Sequence, residues 1–152
     1  MFASNRHRGS RRALAVLLVD SAYDNRAMYA ECLRAARLRT IEIDSTTDAL
    51  ALAGTVDAVV TEIRVPGSFD GLELVRRLRA GETTRRTPVV VLTACAFTED
   101  ERRARAAGCD VFLTKPCLPE TLVAELRRLF ALHRLPSPRA GAPAVRSRRD
   151  VA

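Results

Sequence analysis

The sequence predicts a doubly wound α/β fold, with a five-stranded parallel sheet and helices on both of its faces. Three observations carry this reading. Short apolar runs recur without polar alternation, the signature of strands buried on both sides. Each run is followed by a stretch of helical periodicity, so that strand and helix alternate five times. The connections are short, as right-handed crossovers between neighbouring parallel strands require.

Leu14–Val19 (LAVLLV) reads as the first strand. Asp24 is a candidate N-cap for a helix to about Leu38, with Ala27, Met28, Ala30, Leu33 and Ala36 near helical spacing. Thr40–Ile43 is the second strand, and Ser45–Thr47 open a short helix that ends at Gly54. Val56–Val60 is the third strand, and Asp70 caps a helix carrying Leu72, Leu74, Val75 and Leu78. Pro88–Leu92 (PVVVL) is the fourth strand, and a helix from about Glu99 to Ala107 stops at Gly108. Val111–Leu113 is the fifth strand, and Pro119 opens a last helix to about His133.

The chain has 152 residues, enough for one domain with a substantial core. Apolar residues make up 47% and aromatics 5%, so that core should be aliphatic. No apolar run approaches the roughly 18–20 residues that span a bilayer, and no signal-peptide pattern is present, so a cytoplasmic protein is expected. The net charge of +7 sits in two expected disordered tails. Residues 1–12 carry four arginines and no acid, residues 134–152 carry five arginines against Asp150, and residues 13–133, the expected domain, carry one more acid than base. Arginine-rich tails bind nucleic acid without specificity, yet the near-neutral folded part makes nucleic acid an unexpected partner. Cys32, Cys95, Cys109 and Cys117 form no C-x-x-C pair, so reduced, mostly buried thiols are expected rather than a zinc site. Of the 25 basic residues all but Lys115 are arginine, which marks Lys115 as a place wanting a compact ammonium.

In folds of this class ligands gather beyond the C-terminal ends of the strands. There the first strand delivers Asp20 and Ser21, the third Glu62, the fourth Thr93 and Ala94, and the fifth Lys115 and Pro116. Two acids, a hydroxyl and an ammonium suit a divalent cation and a phosphoryl group. The acids would hold the metal, while the hydroxyl and ammonium would take phosphoryl oxygens.

The segments VLLVDS, DAVVTEIRVPG, DGLELVRRLR, TPVVVLTA and GCDVFLTKP, in this order, resemble the receiver domain of bacterial response regulators. That domain is the phosphoacceptor half of two-component signalling. The resemblance spans about Leu14 to Phe130 and implies a flavodoxin-like receiver fold. It implies that Asp20 is the first acid of a metal-binding pair, with Ser21 where the family usually has the second. Glu62 falls on the phosphoacceptor aspartate, and the backbone carbonyl of Arg64 on a further magnesium ligand. Thr93 corresponds to the switch hydroxyl, Phe112 to the aromatic rotamer switch, and Lys115–Pro116 to a lysine followed by a cis peptide. Ser68 or Phe69 is one residue more than the usual loop and is expected to be a tolerated insertion.

Two departures fall at the chemical centre. Ser21 removes a negative charge from the metal position. Glu62 moves its carboxylate outward by about 1.5 Å, one bond length, which consumes the tolerance of in-line attack at about 3–3.5 Å. The expectation is a stand-alone, non-enzymatic, atypical receiver that acts by protein–protein interaction without phosphorylation. No cofactor is expected, or at most weak Mg²⁺ at Asp20 and Glu62. Glu62 is expected to pair with Lys115, and with Thr93 if it reaches the phosphoryl position. The expected partners are a histidine kinase, a downstream effector, or a second copy through the fourth helix, fifth strand and fifth helix. The alternatives are a conventional Mg²⁺-dependent phosphoacceptor with a weakened site and a nucleic-acid binder through its tails.

Overall fold

A computed structural model describes residues 12–134, and the expected tails otherwise lie outside the described residues. Five strands, β1 (Ala15–Val19), β2 (Arg39–Ile43), β3 (Ala58–Thr61), β4 (Val89–Thr93) and β5 (Val111–Thr114), form one sheet. All neighbours are parallel, in the order β2-β1-β3-β4-β5. Five helices connect or follow them: α1 (Tyr23–Ala35), α2 (Thr46–Leu52), α3 (Gly71–Ala80), α4 (Thr98–Ala107) and α5 (Pro119–Arg134). The chain reverses direction across the sheet between β1 and β3, and this is where such a sheet opens a crevice.

The unbroken apolar runs follow from the layering. In β1, Leu17 and Val19 point into the core beneath α2, α3 and α4, and Val16 and Leu18 into the core beneath α1 and α5. The same split divides Val59 from Val60 in β3 and Val91 from Val90 in β4. A strand covered on both faces leaves little room for polar side chains, and the buried threonines of β3 and β4, Thr61 and Thr93, stand at the C-terminal ends. Both cores are built from Leu, Val and Ala, with Tyr29 and Phe130 the aromatic members beneath α1 and α5.

Helix α1 departs from its expected bounds at both ends. Asp24 lies in its first turn and does not cap it; the N-cap is Ala22, which supplies no side-chain bond. The helix starts early because the Asp20 carboxylate accepts the Ala22 N–H at 2.9 Å, turning the chain two residues after β1. It ends at Ala35 and not near Leu38. Arg37 adopts a left-handed φ of 63°, and the Leu38 N–H bonds back to the Leu33 carbonyl at 3.0 Å. That turn buries Leu38 and aims the chain into β2. Asp70 caps α3 as expected, accepting from the Glu73 N–H, and Ser45, at the expected opening of α2, caps it by accepting from the Asp48 N–H. Arg12 is paired with Asp57 at 2.9 Å, so the residue expected to close the N-terminal tail touches the domain. The four cysteines are free, but only Cys109 is fully buried.

The loop after β3 is the element that positions the site. Its far end is clamped to α2, where the Thr46 hydroxyl donates to the Phe69 carbonyl at 2.5 Å and the Thr46 N–H to the Pro66 carbonyl at 3.1 Å. The Phe69 ring lies beneath the Arg77 guanidinium, with 4.0 Å between the guanidinium carbon and the ring centroid. At the near end the Gly71 N–H bonds the Ile63 carbonyl at 2.8 Å. A Cβ on Gly71 would stand 1.9 Å from the Glu62 carbonyl oxygen, so only glycine lets α3 begin against this backbone. Gly71→Ala should therefore cost about 3 kcal/mol or more in urea denaturation. Gly54→Ala, whose new methyl would meet its nearest neighbour at 3.7 Å, should stay within about 1 kcal/mol of wild type.

Candidate functional site

The C-terminal ends of β1, β3, β4 and β5 converge on an open cleft of about 400 Å³. Asp20, Ser21, Glu62, Arg64 and Lys115 line it together with Asn25, Ala94, Cys95 and Phe97. Ladder bonds set the spacing between strand ends. The Glu62 N–H bonds the Val19 carbonyl at 2.9 Å, and the Lys115 N–H bonds the Thr93 carbonyl at 2.8 Å. Backbone pairing alone thus brings Asp20 beside Glu62, and Thr93 beside Lys115.

Glu62 is only 7% exposed, and each of its carboxylate oxygens has two donors. Oε1 accepts the Thr93 hydroxyl, in a short contact, and the Ile63 N–H at 2.7 Å. Oε2 accepts the Ala94 N–H at 3.1 Å and the Lys115 ammonium at 3.1 Å. Thr93, wholly buried, is fixed in turn by the Cys95 N–H, which donates to its oxygen at 3.0 Å. Lys115 also donates to Asp20 Oδ2 at 2.5 Å, while Asp20 Oδ1 is the acceptor of the Ala22 N–H. One ammonium therefore bridges two buried carboxylates, and every carboxylate oxygen in the cluster has a protein donor.

Burial pushes the Glu62 carboxyl up, but the bonds from Thr93, Lys115, Ala94 and Ile63 outweigh it and hold it below the ordinary glutamate value. Burial pushes Lys115 down, and its bonds to Asp20 and Glu62 reverse this, leaving the ammonium above its ordinary value. Both shifts keep the ion pair charged at neutral pH.

The remaining expected residues fall into two groups. Ser21 and Arg64 are exposed on the cleft wall, and neither side chain joins the cluster by a hydrogen bond among the described residues. The Lys115–Pro116 peptide is cis, as expected. Phe112 is half-buried and lies outside the cluster, packed against the core beneath α3 and α4. Sequence reasoning had paired Glu62 with Lys115 and Thr93, and the structure places all three in contact. It had treated Asp20 as a metal acid and missed that Lys115 reaches it as well. It also missed Arg26, whose Nη1 donates to the Asp20 carbonyl at 2.6 Å and whose guanidinium lies 5.5 Å from the Tyr23 ring. The signal was available in part, since Tyr23 and Arg26 are three residues apart at a helix start and so share a face.

The sign of the pH dependence follows from these shifts. A carboxyl held below its ordinary value stabilises the fold above that value and loses the contribution as pH falls through its folded value. Lys115, held above its ordinary value, contributes below 10.5 and loses the contribution only as pH rises through its folded value. Glu62→Gln should therefore cost about 1.5–3 kcal/mol at pH 7, the range for hydrogen bonds to a charged group. The gap to wild type should narrow as pH drops below 4.5, the ordinary glutamate value. Urea denaturation of both proteins at pH 7 and pH 3 measures it.

The profile of the response regulator receiver domain matches residues 16–127. The chain is 32% identical over 104 residues to the polar-differentiation response regulator DivK of Brucella ovis, covering 67% of this chain and 84% of DivK. It is 37% identical over 143 residues to the virulence sensor protein BvgS of Bordetella pertussis. That match covers 88% of this chain but 12% of BvgS, so the chain spans a small part of that relative. Among solved structures it resembles the receiver domain of the sensor histidine kinase PA1611 of Pseudomonas aeruginosa, a structure with a magnesium ion coordinated in its active-site cleft. There the TM-score is 0.72 at 29% identity, over 78% of this chain and 98% of that one. With the five-stranded parallel sheet and the strand-end cleft, these matches make the chain a member of the response regulator receiver domain family, a module of two-component signalling.

Proposed function

We propose that this receiver works as an atypical signalling module, read by a protein partner without phosphorylation of its own acceptor position. The observation that carries the reading is the occupancy of Glu62. Phosphoryl transfer needs a carboxylate oxygen with a lone pair aimed at phosphorus, about 3–3.5 Å away and in line. Both Glu62 oxygens are already held by two donors each. Freeing one would leave a buried donor unpaired, which costs on the order of 1–3 kcal/mol before any chemistry begins.

The donor set does not fit a magnesium ion. Magnesium requires near-octahedral oxygen geometry, usually with one or two carboxylates free to bind it. Asp20 Oδ2 and Glu62 Oε2 both face the Lys115 ammonium, and Ser21 offers only a neutral hydroxyl, which leaves the Arg64 carbonyl without a free carboxylate beside it. The ammonium takes the place that a cation would fill between the two acids.

With Thr93 and Lys115 both bound to Glu62, the groups that the family resemblance assigns to phosphoryl oxygens are engaged without phosphate. The site is then fixed in one arrangement, and regulation passes to whichever protein docks. A histidine kinase or a downstream effector is the class of partner, in keeping with the sensor protein, the sensor histidine kinase and the response regulator that the chain resembles. The face formed by α4, β5 and α5 suits docking, including by a second copy. It carries a shallow hollow lined by Phe112, Leu113 and Leu118, and Leu118 is 71% exposed.

Incubation with acetyl phosphate and Mg²⁺, read by intact mass, tests the proposal. Wild type should show no phosphoryl adduct, while Ser21→Asp/Glu62→Asp, which restores both acids at family length, should gain one. Labelling of wild type at a level like that of the double variant would instead make it a conventional phosphoacceptor.

A further inference from the structure

We infer that the end of the domain opposite the cleft is an arginine-lined surface that docks onto the phosphodiester backbone of nucleic acid. The near-neutral charge of residues 13–133 conceals a strong separation. The acids Asp20, Asp44, Glu62 and Asp70 lie at the C-terminal ends of the strands or in the loops just beyond them. Arg37 and Arg39 flank the turn from α1 into β2, Arg85 and Arg86 precede β4, and Arg134 ends α5, all exposed and all at the other end. Sheet register ties them together. Arg39 pairs with Ala15 at the start of β1, and Arg86 and Arg134 line one hollow with His133, Thr87 and Asp57.

The acids at this end do not neutralise the set. Asp57 is taken by Arg12 and Asp110 by Arg79, each at 2.9 Å, which leaves Glu82 and Glu31, about one turn before the end of α1, against the five exposed arginines. Helix dipoles account for bases in the last turns of helices, such as Arg34, Arg79 and Arg105. They do not account for Arg39, Arg85 and Arg86, which lie outside the helices. Both described ends of the chain, Arg12 and Arg134, are at this pole. Residues 1–11 and 135–152, outside the described residues, carry seven further arginines against Asp150.

Guanidinium groups suit phosphate because their planar forks bond it bidentately. A lipid surface fits less well, since interfacial binding needs an apolar face. Of the large exposed hydrophobics, Tyr23, Phe97 and Leu118 lie at the cleft end, Met28 lies midway along α1, and only Leu132 is near Arg134. The hollow between Arg86 and Arg134 also has Leu14, Val56, Pro88 and Phe130 in its lining, but these are buried or half-buried, so a partner meets the exposed arginines rather than the apolar centre that a folded protein interface needs. A polyanion needs only charge and donors, and its affinity should come from counterion release.

Fluorescence anisotropy of a short labelled duplex DNA of random sequence, titrated with the full chain at several salt concentrations, tests the inference. Wild type should bind with log Kobs falling linearly against log salt. Arg85→Ser/Arg86→Ser/Arg134→Ser should weaken binding at low salt about tenfold or more and make the slope shallower by about 2–3, near 0.9 per lost phosphate contact. Arg103→Ser, an exposed change on α4 away from this pole, should match wild type. Absence of salt-sensitive binding, a triple variant that binds like wild type, or tighter binding to phosphatidylserine vesicles than to DNA would each overturn it. None of these readouts depends on phosphorylation of the cleft.

Discussion

The ammonium of Lys115, held between the carboxylates of Asp20 and Glu62, is the interaction on which the functional end of this domain depends. Two carboxylates buried side by side repel each other and lose hydration. One of them would be driven to take up a proton unless a positive charge stood between them. Lysine meets that demand as a compact point charge able to face both acids, where the planar fork of arginine would not. In a chain whose other basic residues are all arginine, this explains why the single lysine stands at this position.

The sheet makes the cluster possible. Its members come from four strands and meet because parallel pairing aligns the ends of β1, β3, β4 and β5 at one level. The helices on both faces bury the strands, so the charges at their tips sit at the mouth of a low-dielectric interior where ion pairs and hydrogen bonds strengthen. Glu62 ties Thr93 to Lys115, and so the end of β4 to the end of β5. Glycine at 71 lets α3 start against the Glu62 carbonyl and fixes the direction of the loop that leaves the site. Charge placement, strand register and one close backbone contact act on the same few atoms.

Much of this was legible in the sequence, for identifiable reasons. The strands were legible because doubly covered strands must be continuously apolar, and PVVVL and LAVLLV are. The cap at Asp70 was legible because a short polar side chain preceded an apolar periodic stretch. Asp24 misled by the same rule, since the Asp20 carboxylate, a residue of the cleft, had already turned the chain into α1. The pairing of Glu62 with Lys115 and Thr93 could be anticipated from strand order. The second partner of Lys115 and the backbone donors of Ile63 and Ala94 could not, because they depend on side-chain reach across the sheet and on loop direction. The polar separation of charge was hidden for a related reason: a net charge sums over positions that only the fold sorts to opposite ends.

The central claim is that Glu62 and Lys115 stabilise each other inside the fold. A double-mutant cycle of Glu62→Gln and Lys115→Met, followed by urea denaturation at pH 7, measures that interaction directly. The account predicts a favourable coupling energy of about 1.5–3 kcal/mol, in the range for neighbours sharing one buried network. Additive effects, with a coupling below about 0.5 kcal/mol, would contradict it.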